Sequence, residues 1–211
     1  MKKIATLSAL VLGLICATAA VPAFADVTLY DNTGPGSYNT FAYTINNGSV
    51  VADSFTLSSN SIVTGVNFVA WLEQAGSTLT SVDWQITTAP FGGTTEGSGT
   101  VSPTGTFVET DPLGDGFDID NETFSIASLP LDAGTYYLEL QNGVASGDGF
   151  VLWDESDGPS VAYSGNTDGG IPSETFQIEG TIAPTPEPSS FLLLGSGLAA
   201  LAGLAKRKLM A

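Results

Sequence analysis

The sequence predicts an all-β chain whose main domain is an antiparallel β-sandwich of jelly-roll character, and three observations carry that expectation. Apolar residues in the middle of the chain recur at every second position, the period of a strand with one buried face. The alternating runs are short and are separated by clusters of Gly, Asn, Asp and Pro, residues that accept or initiate turns. No stretch within residues 26–183 shows a helical period, and no internal repeat points to a solenoid or propeller.

Along the chain, weaker strand signals cover 27–30, 41–45 and 50–57. The run 62–72 is stronger. Ile62, Val66, Phe68, Ala70 and Leu72 fall on one side, and the other side is mixed, with Val69 and Trp71 beside Asn67. The clearest alternation is 81–88, where Val82, Trp84 and Ile86 interleave with Ser81, Asp83, Gln85 and Thr87. Segments 122–127 and 150–153 are weaker candidates. Tyr136, Leu138 and Leu140 alternate with Thr135, Tyr137, Glu139 and Gln141, and Phe176, Ile178 and Ile182 alternate with Gln177, Glu179 and Thr181. Turns are expected at 32–36, 46–48, 92–93 and 168–170, where Gly stands with Asn, Asp or Pro or, at Gly92-Gly93, with a second Gly. Short strands, spaced turns and no helices are the pattern of a sandwich.

The two ends stand apart from this domain. Met1-Lys2-Lys3 is a basic start, 4–20 is an almost continuous apolar run, and Ala23-Phe24-Ala25 puts small residues where a signal peptidase reads. Residues 1–25 are therefore expected to be a signal peptide cut before Asp26, with Ala23 and Ala25 at the recognised positions. A retained anchor would call for a longer span. Gly13 and Ile15 occupy the places where a lipoprotein signal wants an aliphatic and a small residue before Cys16, so lipidation is not expected. With Cys16 removed, the mature chain has neither a disulfide nor a thiolate metal ligand.

Charge is sharply partitioned. The five basic residues are Lys2, Lys3, Lys206, Arg207 and Lys208, while all 22 acidic residues lie from Asp26 to Glu187, and there is no histidine. Residues 26–183, expected to form one acidic ectodomain, thus contain no cationic side chain. Such a surface repels nucleic acid and anionic lipid, which excludes nucleic-acid binding. Much of the acidity is explained by solubility alone.

The domain ends at Ala183-Pro184-Thr185-Pro186-Glu187-Pro188. Alternating prolines deny backbone donors and favour an extended linker, 184–190. Residues 191–205 are apolar and small and are expected to form a single transmembrane helix. At about 1.5 Å per residue it spans roughly 23 Å against a hydrocarbon core of roughly 30 Å, a gap that snorkelling lysines narrow. The tail 206–211, with Lys206, Arg207 and Lys208, is expected to stay cytoplasmic and the acidic domain to lie outside.

Pro186-Glu187-Pro188, the apolar segment 191–205 and Lys206-Arg207-Lys208 together resemble the PEP-CTERM sorting signal of Gram-negative and related environmental bacteria. The three parts stand in the family's order, with a signal peptide at the other end. The resemblance implies handling by an exosortase, a transpeptidase-like membrane enzyme that cuts near the motif, after signal peptidase has acted at the other end. It also implies association with exopolysaccharide and with biofilm or floc matrix. The segment 131–138, Leu-Asp-Ala-Gly-Thr-Tyr-Tyr-Leu, is similar to the uncharacterised β-rich ectodomains that such proteins carry, a likeness that names no activity.

The residue inventory argues against catalysis. The ectodomain has no imidazole, thiol, amine or guanidinium side chain, which rules out triads, Schiff bases and histidine-bound metal. Carboxylate-only glycoside hydrolysis stays chemically open, but 22 acids single out no pair. Two binding readings stand beside a purely structural role. Asp111, Asp115, Asp118, Asp120 and Glu122 crowd a stretch with Gly114 and Gly116, and hard oxygen ligands of this kind suit calcium, although the spacing is not that of an EF-hand. The bland alternative places these acids on a solvated loop, or on the solvent face of one strand. Carbohydrate is the other candidate ligand, with Trp71, Trp84, Trp153, Tyr136, Tyr137 and Tyr163 as stacking platforms. Trp84 and Tyr136, however, fall on faces expected to be buried.

Overall fold

The computed structural model describes residues 26–32, 41–166, 169–183, 194–198 and 206. The described chain is all-β and forms two antiparallel sheets. In chain order the strands are β1 (Val27–Asn32), β2 (Ala42–Thr44), β3 (Val50–Leu57), β4 (Ser61–Glu73), β5 (Leu79–Ala89), β6 (Gly92–Val101) and β7 (Thr104–Thr110). They continue with β8 (Phe117–Leu131), β9 (Gly134–Ala145), β10 (Val151–Ser156), β11 (Ala162–Ser164), β12 (Gly170–Ile171), β13 (Ser173–Glu174) and β14 (Phe176–Ile182).

The first sheet runs β1-β14-β4-β10-β13, with β2 paired to β10 and with β8 joining β4 to β7. β4 is its spine. It pairs with β8 along its whole length, from Ser61 opposite Leu131 to Glu73 opposite Phe117, and its other edge is shared by β14 and β10. The second sheet runs β12-β11-β3-β9-β5-β6.

The core lies between the two inner faces, as alternation requires. Val51, Phe55, Leu57, Trp84, Ile86, Leu138 and Leu140 from the second sheet meet Val63, Val66, Phe68, Leu72, Phe124, Trp153, Phe176 and Ile178 from the first. An aromatic chain crosses the layer in edge-on contacts. Phe68 meets Trp153 at 6.4 Å, Trp153 meets Phe176 at 5.6 Å, and Phe176 meets Phe55 at 6.4 Å. Tilted edge-on rings of this kind are the favoured aromatic arrangement.

A smaller apolar patch, Val69, Trp71 and Ile119 with Leu152, Phe117 and Val108, covers the opposite face of β4 and β8. β4 is therefore buried on both faces, which accounts for its mixed outer pattern. The expected placement of Ile62 beside Val66 is corrected. A register shift between Val63 and Gly65 reverses the parity, so Val63 is buried and Ile62 is only partly covered. Such a bulge leaves one residue unpaired and flips every side chain beyond it.

The turn at 46–48 forms as expected, with Asn47 and Gly48 at φ 53° and 82° and Ser49 N–H bonded to Asn46 O at 2.9 Å. The turn expected at 92–93 sits two residues earlier. Ala89 faces Gly92, so Pro90 and Phe91 make the bend and Gly92 opens β6. Strands β6 and β7 carry no strong alternation in the sequence because they are built from Gly, Thr and Ser and are largely exposed.

By backbone proximity the chain divides into two units, Met1–Thr181 and Ile182–Ala211. In the second, residues 194–198 are helical and exposed. Among the described residues no helix is long and apolar enough to cross a membrane.

Candidate functional sites

The acidic segment does not form a solvated loop or a solvent-facing row. Residues 118–122 belong to β8, and register places Asp118 opposite Leu72, Asp120 opposite Ala70 and Glu122 opposite Phe68. Those partners line the main core, so the three acids point inward, on the same side as Phe124 and Ile126. All three are buried, Glu122 completely. Asp111 is also buried and caps the preceding loop, accepting from Leu113 N–H at 2.8 Å and Asp115 N–H at 3.1 Å. Asp115 is exposed.

The acids differ in how they are satisfied. Asp118 accepts from Thr110 Oγ1 at 3.0 Å and from Gly76 N–H at 2.7 Å. Oδ1 of Asp120 and both oxygens of Glu122 have no hydrogen-bond partner among the described residues. Burial, reinforced by Asp120, pushes the Glu122 carboxyl up to about 7. Asp120 is raised by burial and then by Asp118. A buried carboxylate without a counter-charge favours its neutral form, and no cation from the ectodomain's own side chains exists to relieve it. Among the described residues no three His, Cys, Asp or Glu side chains form a metal-holding group, so the five-residue set read from the sequence does not assemble.

A second polar nest, missed by sequence reasoning, gathers around Asp53 and Glu174. Asp53 lies on β3 at the inward parity of Val51, Phe55 and Leu57 and is fully buried. Its Oδ2 accepts from Glu174 N–H at 2.7 Å and Ser160 Oγ at 2.8 Å, and its Oδ1 accepts from Ser54 N–H at 2.6 Å. Asn32, at the end of β1, donates through its Nδ2 to Ser173 Oγ and Glu174 O at 2.5 Å each. Burial outweighs these donors and raises Asp53 to about 6. Glu174 is fully buried with both carboxyl oxygens unpartnered among the described residues. Burial first, and then Asp53, Asp154 and Glu155, push it well above the ordinary carboxyl range. The odd-numbered run Val51, Asp53, Phe55, Leu57 was a legible signal for Asp53, while nothing in the short β13 marked Glu174.

The tryptophans are structural. Trp71, Trp84 and Trp153 are all buried. Trp71 Nε1 donates to Asp154 Oδ1 at 2.8 Å, and Trp153 Nε1 donates to Thr175 O at 2.9 Å. Tyr136 is buried with its hydroxyl on Asp132 O at 3.1 Å. Buried aromatic residues with their polar handle satisfied are packing elements, so these four are not ligand platforms.

Tyr137 and Tyr163 behave differently. They are half-buried on the outer face of the second sheet, with ring centroids 6.2 Å apart. On that face a cavity of about 290 Å³ is lined by Gln85, Thr87, Phe91, Thr95, Glu139 and Gln141, among others. Glu139 anchors it, accepting from Thr87 Oγ1 at 3.0 Å and from Phe91 N–H at 2.8 Å. Phe91 is held at φ 55° with 43% of its surface exposed, an uncommon backbone state for a bulky residue.

Of the sequence-predicted addressing residues, Lys206 is helical and exposed. Ala23, Ala25, Pro186, Glu187, Pro188, Arg207 and Lys208 lie outside the described residues, as do the expected signal peptide and most of the expected membrane helix. No curated protein matches the chain. The tail is recognisable on its own: residues 184–208 match the PEP-CTERM protein-sorting motif, which implies exosortase processing and transient membrane anchoring before surface display.

Proposed function

We propose that this chain is a non-enzymatic exported protein, released from a transient C-terminal anchor by an exosortase-type enzyme and deployed with exopolysaccharide at the cell surface or in extracellular matrix. The sorting motif at 184–208 carries this reading. Its support is a division of labour along the chain. A basic, apolar start addresses export, and alternating prolines before the apolar tail favour the extended form that proteases bind. A polyanionic domain without a single cationic side chain repels its neighbours and stays hydrated outside. Replacing Glu187 with Ala tests it in cells. Export should persist while an uncut, membrane-associated form accumulates. Normal release of the variant would detach the function from the motif.

A second reading, binding of a neutral saccharide, is favoured by one place, the outer face of the second sheet. Gln85, Gln141 and Thr95 supply amide and hydroxyl partners beside an exposed aromatic ring, Phe91, the mixture that holds a sugar by stacking and hydrogen bonds. Retention of the full chain on purified extracellular polysaccharide should fall by roughly tenfold or more in Phe91→Ala. Equal retention of the two proteins would remove this surface from consideration.

A further inference from the structure

We propose that Asp120 and Glu122 form a calcium site entered from the β7 edge of the first sheet, where both carboxylates pack against the side-chain-free backbone of Gly105. Two independent observations meet there. The first is the fully buried Glu122, neither of whose oxygens has a hydrogen-bond partner among the described residues, next to an equally unpartnered Asp120 Oδ1. The second is steric. Gly105 stands opposite Glu122 in the β7–β8 ladder. A Cβ placed on it would lie 2.8 Å from Glu122 Oε1 and 3.2 Å from Asp120 Oδ2. Glu122 Oε1 and Asp120 Oδ2 therefore lie side by side against a backbone that carries no side chain, with the unpartnered Oδ1 on the same Asp120 carboxylate.

The chemistry selects the ligand. An unpaired buried carboxylate is costly, and two facing each other cost more. Nothing in residues 26–183 supplies a positive side chain, so above the pH at which these carboxyls ionise the counter-charge must come from solution. An all-oxygen, two-carboxylate cradle suits a hard cation. Small side-chain movements bring its oxygens to the roughly 2.3–2.6 Å that calcium requires, whereas magnesium demands tighter octahedral geometry and holds its waters. The other carboxylates of the segment are already committed. Asp118 is held by Thr110 and Gly76, and Asp111 by the 113–115 backbone. With two protein carboxylates and water completing the shell, the affinity belongs in the range of extracellular modules, on the order of 10⁻⁴–10⁻³ M. Gly105 and its neighbours Thr104 and Thr106 are exposed, which gives the ion its way in.

The test uses the full chain in detergent at pH 8, stripped with EDTA and titrated with CaCl₂ or MgCl₂ while thermal unfolding is followed. Calcium should raise the melting temperature in proportion to the logarithm of its concentration, and magnesium should act more weakly. Glu122→Gln should weaken calcium by about tenfold or more. In EDTA the same variant should melt no lower than the parent, because it removes an unpaired buried charge. Gly105→Ala should block calcium with both carboxylates intact, and Asp115→Asn should leave the titration unchanged. Absence of a calcium shift in the parent, or a shift that survives both Glu122→Gln and Gly105→Ala, overturns the site.

Discussion

Glu174 donates its backbone N–H to Asp53 Oδ2 at 2.7 Å, while its own carboxyl group, completely buried, finds no hydrogen-bond partner among the described residues. The main chain of one acid thus stabilises the charge of the other, and their two side chains repel. Asp154 and Glu155 add to the repulsion on Glu174, and Tyr30 packs alongside with its own ionisation raised by burial.

That pair sets a pH dependence. Asp53 is raised from 3.8 to about 6, and burial raises Glu174 well above the ordinary carboxyl range. A carboxyl group raised on folding contributes stability that is fully present below its unfolded value and is lost as pH rises through its folded value. In EDTA the domain should therefore be most stable near pH 4 and should lose on the order of 3 kcal/mol through Asp53 as pH climbs past about 6. Urea unfolding from pH 4 to 8 measures this, and Asp53→Asn should make the profile less steep, leaving the slope that Glu174 and Glu122 contribute. An unchanged slope in that variant would remove Asp53 as the cause.

Gly180 on β14 marks the tightest approach in the first sheet. A Cβ there would collide with the backbone carbonyl of Ile62 and come within 2.8 Å of Leu29 Cδ1. Backbone cannot step aside as a flexible side chain does, so Gly180→Ala should destabilise by about 1–3 kcal/mol, read as a lower urea midpoint. Gly195→Ala, at an exposed helical position with open space around it, should leave that midpoint unchanged.

Phe91 trades stability for exposure. Its φ of 55° costs a side-chain-bearing residue about 1–2 kcal/mol relative to the right-handed region, and much of its ring faces solvent. Phe91→Gly should therefore raise the melting temperature or leave it level, despite deleting a large side chain. A drop of several degrees would show that Phe91 is a packing residue and not a displayed one.

The sandwich was legible because inward alternation is strong in 81–88 and 136–140, where Trp84, Ile86, Leu138 and Leu140 all reach the core. It failed where both faces of a strand are apolar. In β8, Phe117 and Ile119 cover the outer patch while Phe124 and Ile126 enter the core. The acids between them could then be assigned to either side, and solubility arguments favoured the wrong one. Anchoring the alternation on Phe124 would have sent Asp118, Asp120 and Glu122 inward. Strands β6 and β7 stayed hidden because Gly, Thr and Ser pair through backbone without declaring a face. The cleft at Phe91 was invisible for a further reason: it depends on a turn and on cross-strand register, neither of which periodicity encodes. The tail needed no structure, since its motif is a linear order of proline, apolar and basic segments that a processing enzyme reads directly.

Cleavage at that tail is the central claim, and intact-mass measurement of the surface-exposed protein tests it most directly, in cells with and without the exosortase-type enzyme. With the enzyme, the mass should correspond to a chain beginning at Asp26 and ending close to Pro186-Glu187-Pro188. Without it, the mass should include everything through Ala211. If Lys206 through Ala211 remain attached in both, the tail is an ordinary anchor and the sorting account is wrong.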